Sequence, residues 1–308
     1  MRPDQSDRWR SETLDIVFAG MAANKHLNRM LVFKGARVLA LRMGVLRRQS
    51  LDIDCNLREE VLEEGTREEL RARLEGLIEK ALAEYFERQE VVRFKLESVR
   101  VKAHPKQHLH GWDAFKVKLN VSDSAQRSVR NLPKLEIDIA YPEELTENSM
   151  ADLETEGGRV TAYTIERQVA EKLRAFLTSL PQYRTKIRRD GGGDNRPEPI
   201  RVKDIFDIAC VERDHPIGDQ VDFWGIVLSE FTIACKSRYV DCAGLESFEQ
   251  DIGRTTKSYR NDPTYEAEVP FEEAWDVIQR VCKYMEKHEI LPLSFEVPIP
   301  EKPECGDG

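Results

Sequence analysis

Two carboxylates stand one residue apart in the segment RRQSLDIDCNLRE: Asp52 and Asp54, flanked by Leu51 and Ile53. In a strand, residues i and i+2 project from one face, roughly 7 Å apart along the chain. Acids in the apolar rhythm of a strand leave two readings: the strand has a wet face, or the pair holds a cation. A second segment, KLEIDIA over Lys134 to Ala140, alternates Leu135, Ile137 and Ile139 with Glu136 and Asp138. If the two strands are neighbours, Asp138 brings a third acid to the pair. Three carboxylates without a counterion repel one another and raise each other's pKa. A divalent cation resolves this. Mg²⁺ prefers carboxylate oxygens and keeps waters that a phosphate replaces. Two such ions roughly 4 Å apart serve an in-line displacement at phosphorus. The spacing therefore predicts two Mg²⁺, with Mn²⁺ as the substitute, on Asp52, Asp54 and Asp138.

Upstream, LVF over Leu31 to Phe33 reads as a short strand that ends at Lys34-Gly35-Ala36-Arg37, and ARVLALRMG then reads as a helix. A glycine lets the backbone approach a phosphate closely, and a helix N-terminus presents N–H groups to it. Strand, small-residue turn, helix and acid-bearing strand, in that order, describe a nucleoside-triphosphate site. Singly, each piece has a plain reading. A D-x-D pair arises by chance, a Lys-Gly turn is common, and an inward lysine is more often snorkelling than binding.

These pieces need elements to hold them. Residues 1–10 read as a frayed polar end, and Leu14 to Met30 as a helix. Thr66 and Glu69 form a capping box for a helix with Leu70, Leu74, Leu77, Ile78, Ala81, Leu82 and Tyr85 inside. Val92, Phe94 and Leu96 alternate, then shift phase at Ser98, which predicts a bulge. AFKVKLNV alternates cleanly. The loop between these strands holds His104, His108 and His110; with no carboxylate or Cys beside them, a polar loop is the better reading than a metal site. Thr164 caps a helix to about Leu180, with Ile165, Val169, Leu173, Phe176 and Leu177 inside. Lys172 falls at the edge of that stripe, while Arg167, Glu171, Arg174 and Thr178 fall on the outer face. RVKDIFDIACV reads as a buried helix with Asp204 and Asp207 side by side. Val221 to Cys235 and Phe271 to Met285 are further helices, and a Pro-rich tail follows Leu291. The expected fold is α/β (α+β): a mixed β-sheet with flanking helices over 1–160, a helical C-terminal part over 161–290 and a loose tail over 291–308.

Composition excludes some classes. The chain has 308 residues and a net charge of −9, so nucleic acid would have to meet a local basic patch. Arg184, Lys186, Arg188, Arg189, Arg196, Arg201 and Lys203 cluster around Gly191 to Gly193 and supply one; a solvated loop is the plain alternative. There is no run of 18 apolar residues and no signal-type start, so a cytoplasmic protein without membrane contact is expected. The six scattered cysteines read as reduced core thiols.

In this order, the motifs resemble a known family. FKGARVLALRMGVLRRQSLDID resembles the KGG-T/S-x-L-x-L-x-x-G…R-x-S-x-D-I-D stretch of the AbiEii/AbiGii-type nucleotidyltransferases, toxins of abortive-infection and type IV toxin–antitoxin systems in the DNA polymerase β-like superfamily. YTIERQVAEKLRAF resembles their P-x-E-x-x-x-A-E-K-L-x-A segment, and RVKDIFDIA their R-x-K-D-x-x-D-L segment. The likeness runs from about Leu14 to Val211. It implies a nucleotidyltransferase-type sheet and transfer of NMP from an NTP to an acceptor, tRNA or another RNA. It also implies a cognate antitoxin, which need not bind directly. It implies that Asp52 and Asp54 bind metal, that Lys172 faces the triphosphate and that Asp204 takes part in catalysis. The expected phosphate-binding set is Lys34, Gly35, Ala36, Arg37, Arg48, Ser50 and Lys172; RNA would meet Arg184, Arg188, Arg189 and Arg201. The turn departs from the family: Gly35-Ala36-Arg37 lacks the usual hydroxyl, and Arg37 stands in its place. Transfer to a protein side chain, a non-catalytic nucleotide binder and a metal-free scaffold are the alternatives.

Overall fold

The computed structural model describes residues 2–45, 48–104, 112–126, 131–187 and 199–298. They fall into two compact units, Met1–Glu143 with Met150–Tyr163, and Glu144–Ser149 with Thr164–Gly308.

The first unit runs α1 (Pro3–Ala22), α2 (Lys25–Met30), β1 (Leu31–Lys34), α3 (Gly35–Met43), β2 (Ile53–Leu57), α4 (Arg67–Glu87), β3 (Phe94–Ala103), β4 (Ala114–Asp123), β5 (Leu135–Ala140), β6 (Met150–Thr155) and β7 (Gly158–Tyr163). The strands form one sheet in the order β3-β4-β5-β2-β1-β7-β6. β1 lies parallel to β7 and β2 parallel to β5; the other neighbours are antiparallel. This is the mixed sheet that the alternating segments predicted. The phase shift in β3 is a register irregularity against β4 between Leu96 and Ser98.

One sheet face is apolar and carries Phe33, Ile53, Cys55, Ile137 and Ile139, all buried with α1 and α4 in one core cluster. α4 begins with both capping-box bonds, Thr66 Oγ1 accepting from the Glu69 N–H and the Thr66 N–H donating to Glu69 Oε2. Such a cap stabilises by about 1 kcal/mol.

Two expectations for the start of the chain fail. Residues 3–10 are not frayed: α1 begins at Pro3, and Trp9 is buried with its indole N–H 2.9 Å from Asp123 Oδ2, an acid that Arg93 also grips. The helix expected from Leu14 to Met30 is two helices. Asn24 breaks it, because its side chain accepts from the N–H groups of His26 and Leu27 and so caps a new start. The β6–β7 hairpin was not anticipated at all.

The second unit is helical: α5 (Ile165–Thr178), α6 (Pro181–Ile187), α7 (Val202–Asp214), α8 (Val221–Arg238), α9 (Leu245–Glu249), α10 (Ile252–Arg260), α11 (Pro263–Glu268) and α12 (Phe271–Lys287). α5 packs on both α7 and α8. That overturns the outer-face placement of Arg167, which is 0% exposed. Its guanidinium donates to Glu230 Oε2 of α8 at 2.8 Å and to Glu171 Oε1 at 2.9 Å. Glu230 also accepts from Ser149 Oγ at 2.8 Å and from Thr146, which ties the 144–149 segment to the same helices. Beyond α12, Leu293 exchanges backbone hydrogen bonds with Cys242. The rest of the expected tail, 299–308, lies outside the described residues.

Candidate active site

Period-two alternation puts every second residue of β2 and β5 on the face opposite the apolar core. The register then sets charged residues side by side. Lys34 of β1 pairs with Asp54 of β2, Asp54 with Asp138 of β5, and Asp138 with Lys116 of β4. Four adjacent strands thus carry one row, Lys34–Asp54–Asp138–Lys116. Asp52 lies in a bend just before β2 rather than in the strand. The Ser50 hydroxyl donates to the Asp52 carbonyl at 3.1 Å and reaches its Oδ1 at 3.3 Å. One carboxylate oxygen each from Asp52, Asp54 and Asp138 lies within 4.8 Å of the other two.

Gathering these acids is costly. Each like-charged pair at that separation repels by about 3 kcal/mol at an effective dielectric near 20, before solvent and salt screen it. Burial pushes the Asp138 carboxyl above the ordinary range; Lys116 pulls against this, while Asp52 and Glu136 add to it. Burial also works against the Lys116 charge. Asp138 and Glu136 more than offset it and hold that ammonium above its usual range. Its Nζ lies 3.2 Å from Glu136 Oε2 and 3.6 Å from Asp138 Oδ1. The donor set is all carboxylate oxygen, the chemistry that suits Mg²⁺ or Mn²⁺ rather than a thiolate-seeking metal. The neighbouring Cys55 thiol is wholly buried and held far above its usual pKa by that burial, so it is a core group.

Gly35 has a second reason to be glycine. Its φ is +85°, and a Cβ there would lie 2.2 Å from Asp54 Oδ2 and 3.0 Å from Asp54 Cβ and Cγ. The missing side chain is the space that the Asp54 carboxylate occupies. Ala36 follows in the first turn of α3. Lys34 is partly spoken for: its Nζ is 3.8 Å from Glu143 Oε2 and 5.5 Å from the ring centroid of Tyr163.

Arg37 is not placed to grip a phosphate. It is 6% exposed, with Nη1 on Asp15 and Nη2 donating to the Ser50 carbonyl at 2.9 Å. The residue that replaces the family hydroxyl is therefore an internal tie from α1 to the Ser50–Asp52 bend. Burial lowers its pKa, and Asp15 opposes that. Ser50 likewise belongs to the support of Asp52. Arg48 sits half-buried on the same bend, its Nη1 at 3.5 Å from the Gln49 carbonyl.

In the second unit, Lys172 is buried between two acids of α7. Its Nζ donates to Asp207 Oδ2 at 2.6 Å and lies 3.7 Å from Asp204 Oδ1. Arg201 Nε donates to Asp204 Oδ2 at 2.6 Å. Of this group the sequence reading gave Asp207 no role beyond its place beside Asp204, though it makes the shorter bond to Lys172.

Comparison with known proteins bears on residues 16–285, which match the model of the family described as nucleotidyl transferase AbiEii toxin, type IV TA system. The chain belongs to this family. The crystal structure of JHP933 from Helicobacter pylori is similar in fold, with a TM-score of 0.51 and 16% identity over 92% of this chain and 94% of that one. An antigenic nucleotidyltransferase-like protein from Paracoccidioides brasiliensis aligns with a TM-score of 0.31 and 15% identity over 87% and 94% of the two chains. The antibiotic-resistance factor ANT(2'')-Ia aligns with a TM-score of 0.29 and 15% identity over 82% and 94%. No curated protein matches the sequence.

For this AbiEii-family chain the remaining expected contacts are divided. Arg184 and Arg201 line a cavity of about 590 Å³ in the second unit, together with Lys203. Arg188 and Arg189 lie outside the described residues, as do His108 and His110. His104 is exposed. Lys116 was missed by the sequence reading, although the alternation of AFKVKLNV places it opposite Phe115 and Val117, on the side of the acids. No helix among the described residues is long and apolar enough to cross a membrane.

Proposed function

We propose that this chain transfers a nucleoside monophosphate from an NTP to an RNA acceptor, tRNA by the family resemblance, and so arrests growth as the toxin of a phage-defence pair. The observation that carries the proposal is the meeting of Asp52, Asp54 and Asp138 within 4.8 Å beside the Gly35 turn. These three would hold Mg²⁺, one ion or two. Bound there, the metal would supply Lewis acidity and neutralise charge on the phosphates.

The chain's own groups do the rest. Gly35 makes room for the Asp54 carboxylate, and the N–H groups of the first turn of α3 would meet the triphosphate beside it. Lys34 and Lys116 flank the acid row from either side. In the transfer, the acceptor's hydroxyl oxygen bonds to the α-phosphorus. The bond from that phosphorus to the β-bridging oxygen breaks, and pyrophosphate leaves with the electron pair. Asp138 takes the hydroxyl proton through a carboxylate oxygen that does not hold the metal. The resemblance assigns Lys172 to the triphosphate. Within its own unit Asp207 and Asp204 hold it, so a change at either acid is expected to act through Lys172.

The test is incubation with α-labelled NTPs, Mg²⁺ and either tRNA or cell protein. The proposal expects label on RNA and release of pyrophosphate with wild type, and neither with Asp54→Ala. Label on protein would overturn the acceptor. A rise in melting temperature with MgNTP but no label on anything would overturn the enzyme. In cells, growth arrest by wild type and not by Asp52→Ala is expected.

A further inference from the structure

Lys25 and Arg29 of α2 and Arg58, just past β2, line one open pocket of the first unit with Asn28, Glu60 and Thr161; its volume is about 600 Å³. The Arg58 N–H donates to the Met30 carbonyl at 2.9 Å, which draws the end of α2 and the end of β2 together. In a chain with more acids than bases, cations ordinarily find partners. Arg159, for example, pairs with both Glu154 and Asp152. Among the described residues, no carboxylate lies within ion-pair distance of Lys25, Arg29 or Arg58. Three cations against the single acid Glu60 leave the pocket positive.

Two further atoms at this place lack a partner. Arg58 Nε and Asn28 Oδ1 are both buried and make no hydrogen bond, a rare state for buried polar atoms. The Asn28 amide is fixed nonetheless: its Nδ2 donates to the Ala22 carbonyl at 2.7 Å and to the Arg159 carbonyl at 3.3 Å. Arg58 Nε and Asn28 Oδ1 are both sealed from solvent, so the contact that the lining itself offers a ribose 2′-hydroxyl is the Thr161 hydroxyl. Phosphates alternating with 2′-hydroxyls are the backbone of RNA, and DNA lacks the second group.

The pocket is separate from the acid row. Arg58 follows Asp54 by four residues, roughly 13 Å along the strand. Between them Asn56 and Tyr163 are fully buried and joined by a 2.5 Å hydrogen bond, which closes that stretch of the sheet.

We propose that this pocket is an RNA-backbone site, with phosphates on Lys25, Arg29 and Arg58 and a ribose 2′-hydroxyl on Thr161. It rests on RNA being the acceptor, and it holds the RNA away from its reacting end.

The test is titration of fluorescent tRNA with the full chain between 50 and 200 mM salt. Three proteins are compared with wild type: Lys25→Gln/Arg29→Gln/Arg58→Gln, Asp54→Ala and Thr161→Val. Each lost phosphate contact flattens the slope of log K against log salt by about 0.7 to 0.9. The triple variant should therefore lose about 2 to 3 from the slope, with its circular dichroism and melting temperature unchanged. Asp54→Ala should keep the wild-type slope. Thr161→Val should narrow the preference for RNA over DNA of the same sequence. A wild-type slope in the triple variant, while tRNA is still labelled in the transfer assay, would overturn the pocket alone. Label on protein would overturn the acceptor reading whatever the slope. Equal binding of RNA and DNA by wild type would show a general anion site and overturn the ribose contact.

Discussion

Gly35→Ala should disable the acid cluster without touching an acid. The new residue meets two costs. At φ +85° an L side chain is disfavoured by about 1–2 kcal/mol. Its Cβ would also stand 2.2 Å from Asp54 Oδ2. Rotating the carboxylate oxygen away does not suffice, because Asp54 Cβ and Cγ are both at 3.0 Å. The whole side chain must shift, and the carboxylate leaves Asp52 and Asp138. Together we expect about 2–3 kcal/mol of lost stability in the first unit, or roughly 5–10 °C of its melting temperature. Metal affinity should fall about as far as in Asp54→Ala. Calorimetric Mn²⁺ titration and differential scanning calorimetry read the two effects. A double variant separates the causes: Asp54→Ala removes the Oδ2 and Cγ contacts and leaves the Cβ contact at 3.0 Å, so Gly35→Ala should then cost the backbone term of about 1–2 kcal/mol and that one tight contact. A Gly35→Ala protein that binds Mn²⁺ within twofold of wild type would refute the reasoning.

Other perturbations test the supports. Arg37→Met leaves the Ser50 carbonyl without its donor and should cost about 1–3 kcal/mol; Mn²⁺ affinity should fall with it, and Arg37→Lys should restore part of both. Unchanged affinity in Arg37→Met would contradict its link to Asp52. The Asp138 carboxyl holds its proton more tightly in the folded chain than in the unfolded one. Its contribution to stability is therefore present below about pH 3.9 and is lost as pH rises through the higher folded value. The Mg²⁺-induced gain in melting temperature should grow across that same window and vanish in Asp138→Asn; a gain that is flat from pH 4 to 7 would contradict this. Glu230→Gln removes one of the two carboxylates on the fully buried Arg167, leaving Glu171, and should lower the stability of the second unit by about 1.5–3 kcal/mol, read by calorimetry.

What the sequence made legible follows from period and position. Alternation in KLEIDIA and the D-I-D pair was enough to anticipate a wet sheet face bearing acids, because strand parity is a local property. The partner strands were not local. That β2 lies between β1 and β5, so that Asp54 has Lys34 on one side and Asp138 on the other, is set by long-range pairing. The same limit explains Arg167. A helical wheel placed it outside, and the helix that buries it, with Glu230, arrives 63 residues later. β6 and β7 escaped notice because few of their residues are buried, Leu153, Val160, Ala162 and Tyr163 among them, and the rest read as a polar loop. Arg37 reads as an exposed phosphate ligand until the bend at Ser50 is seen to fold back on it.

The central claim is that Asp52, Asp54 and Asp138 share a divalent cation. Anomalous diffraction from crystals grown with Mn²⁺ and a non-hydrolysable NTP tests it most directly. The account predicts an anomalous peak in direct contact with oxygens of all three carboxylates, with the nucleotide's phosphates on the open side of the Gly35 turn. Ordered nucleotide with no peak between these three residues, or with the manganese bound elsewhere, would contradict it.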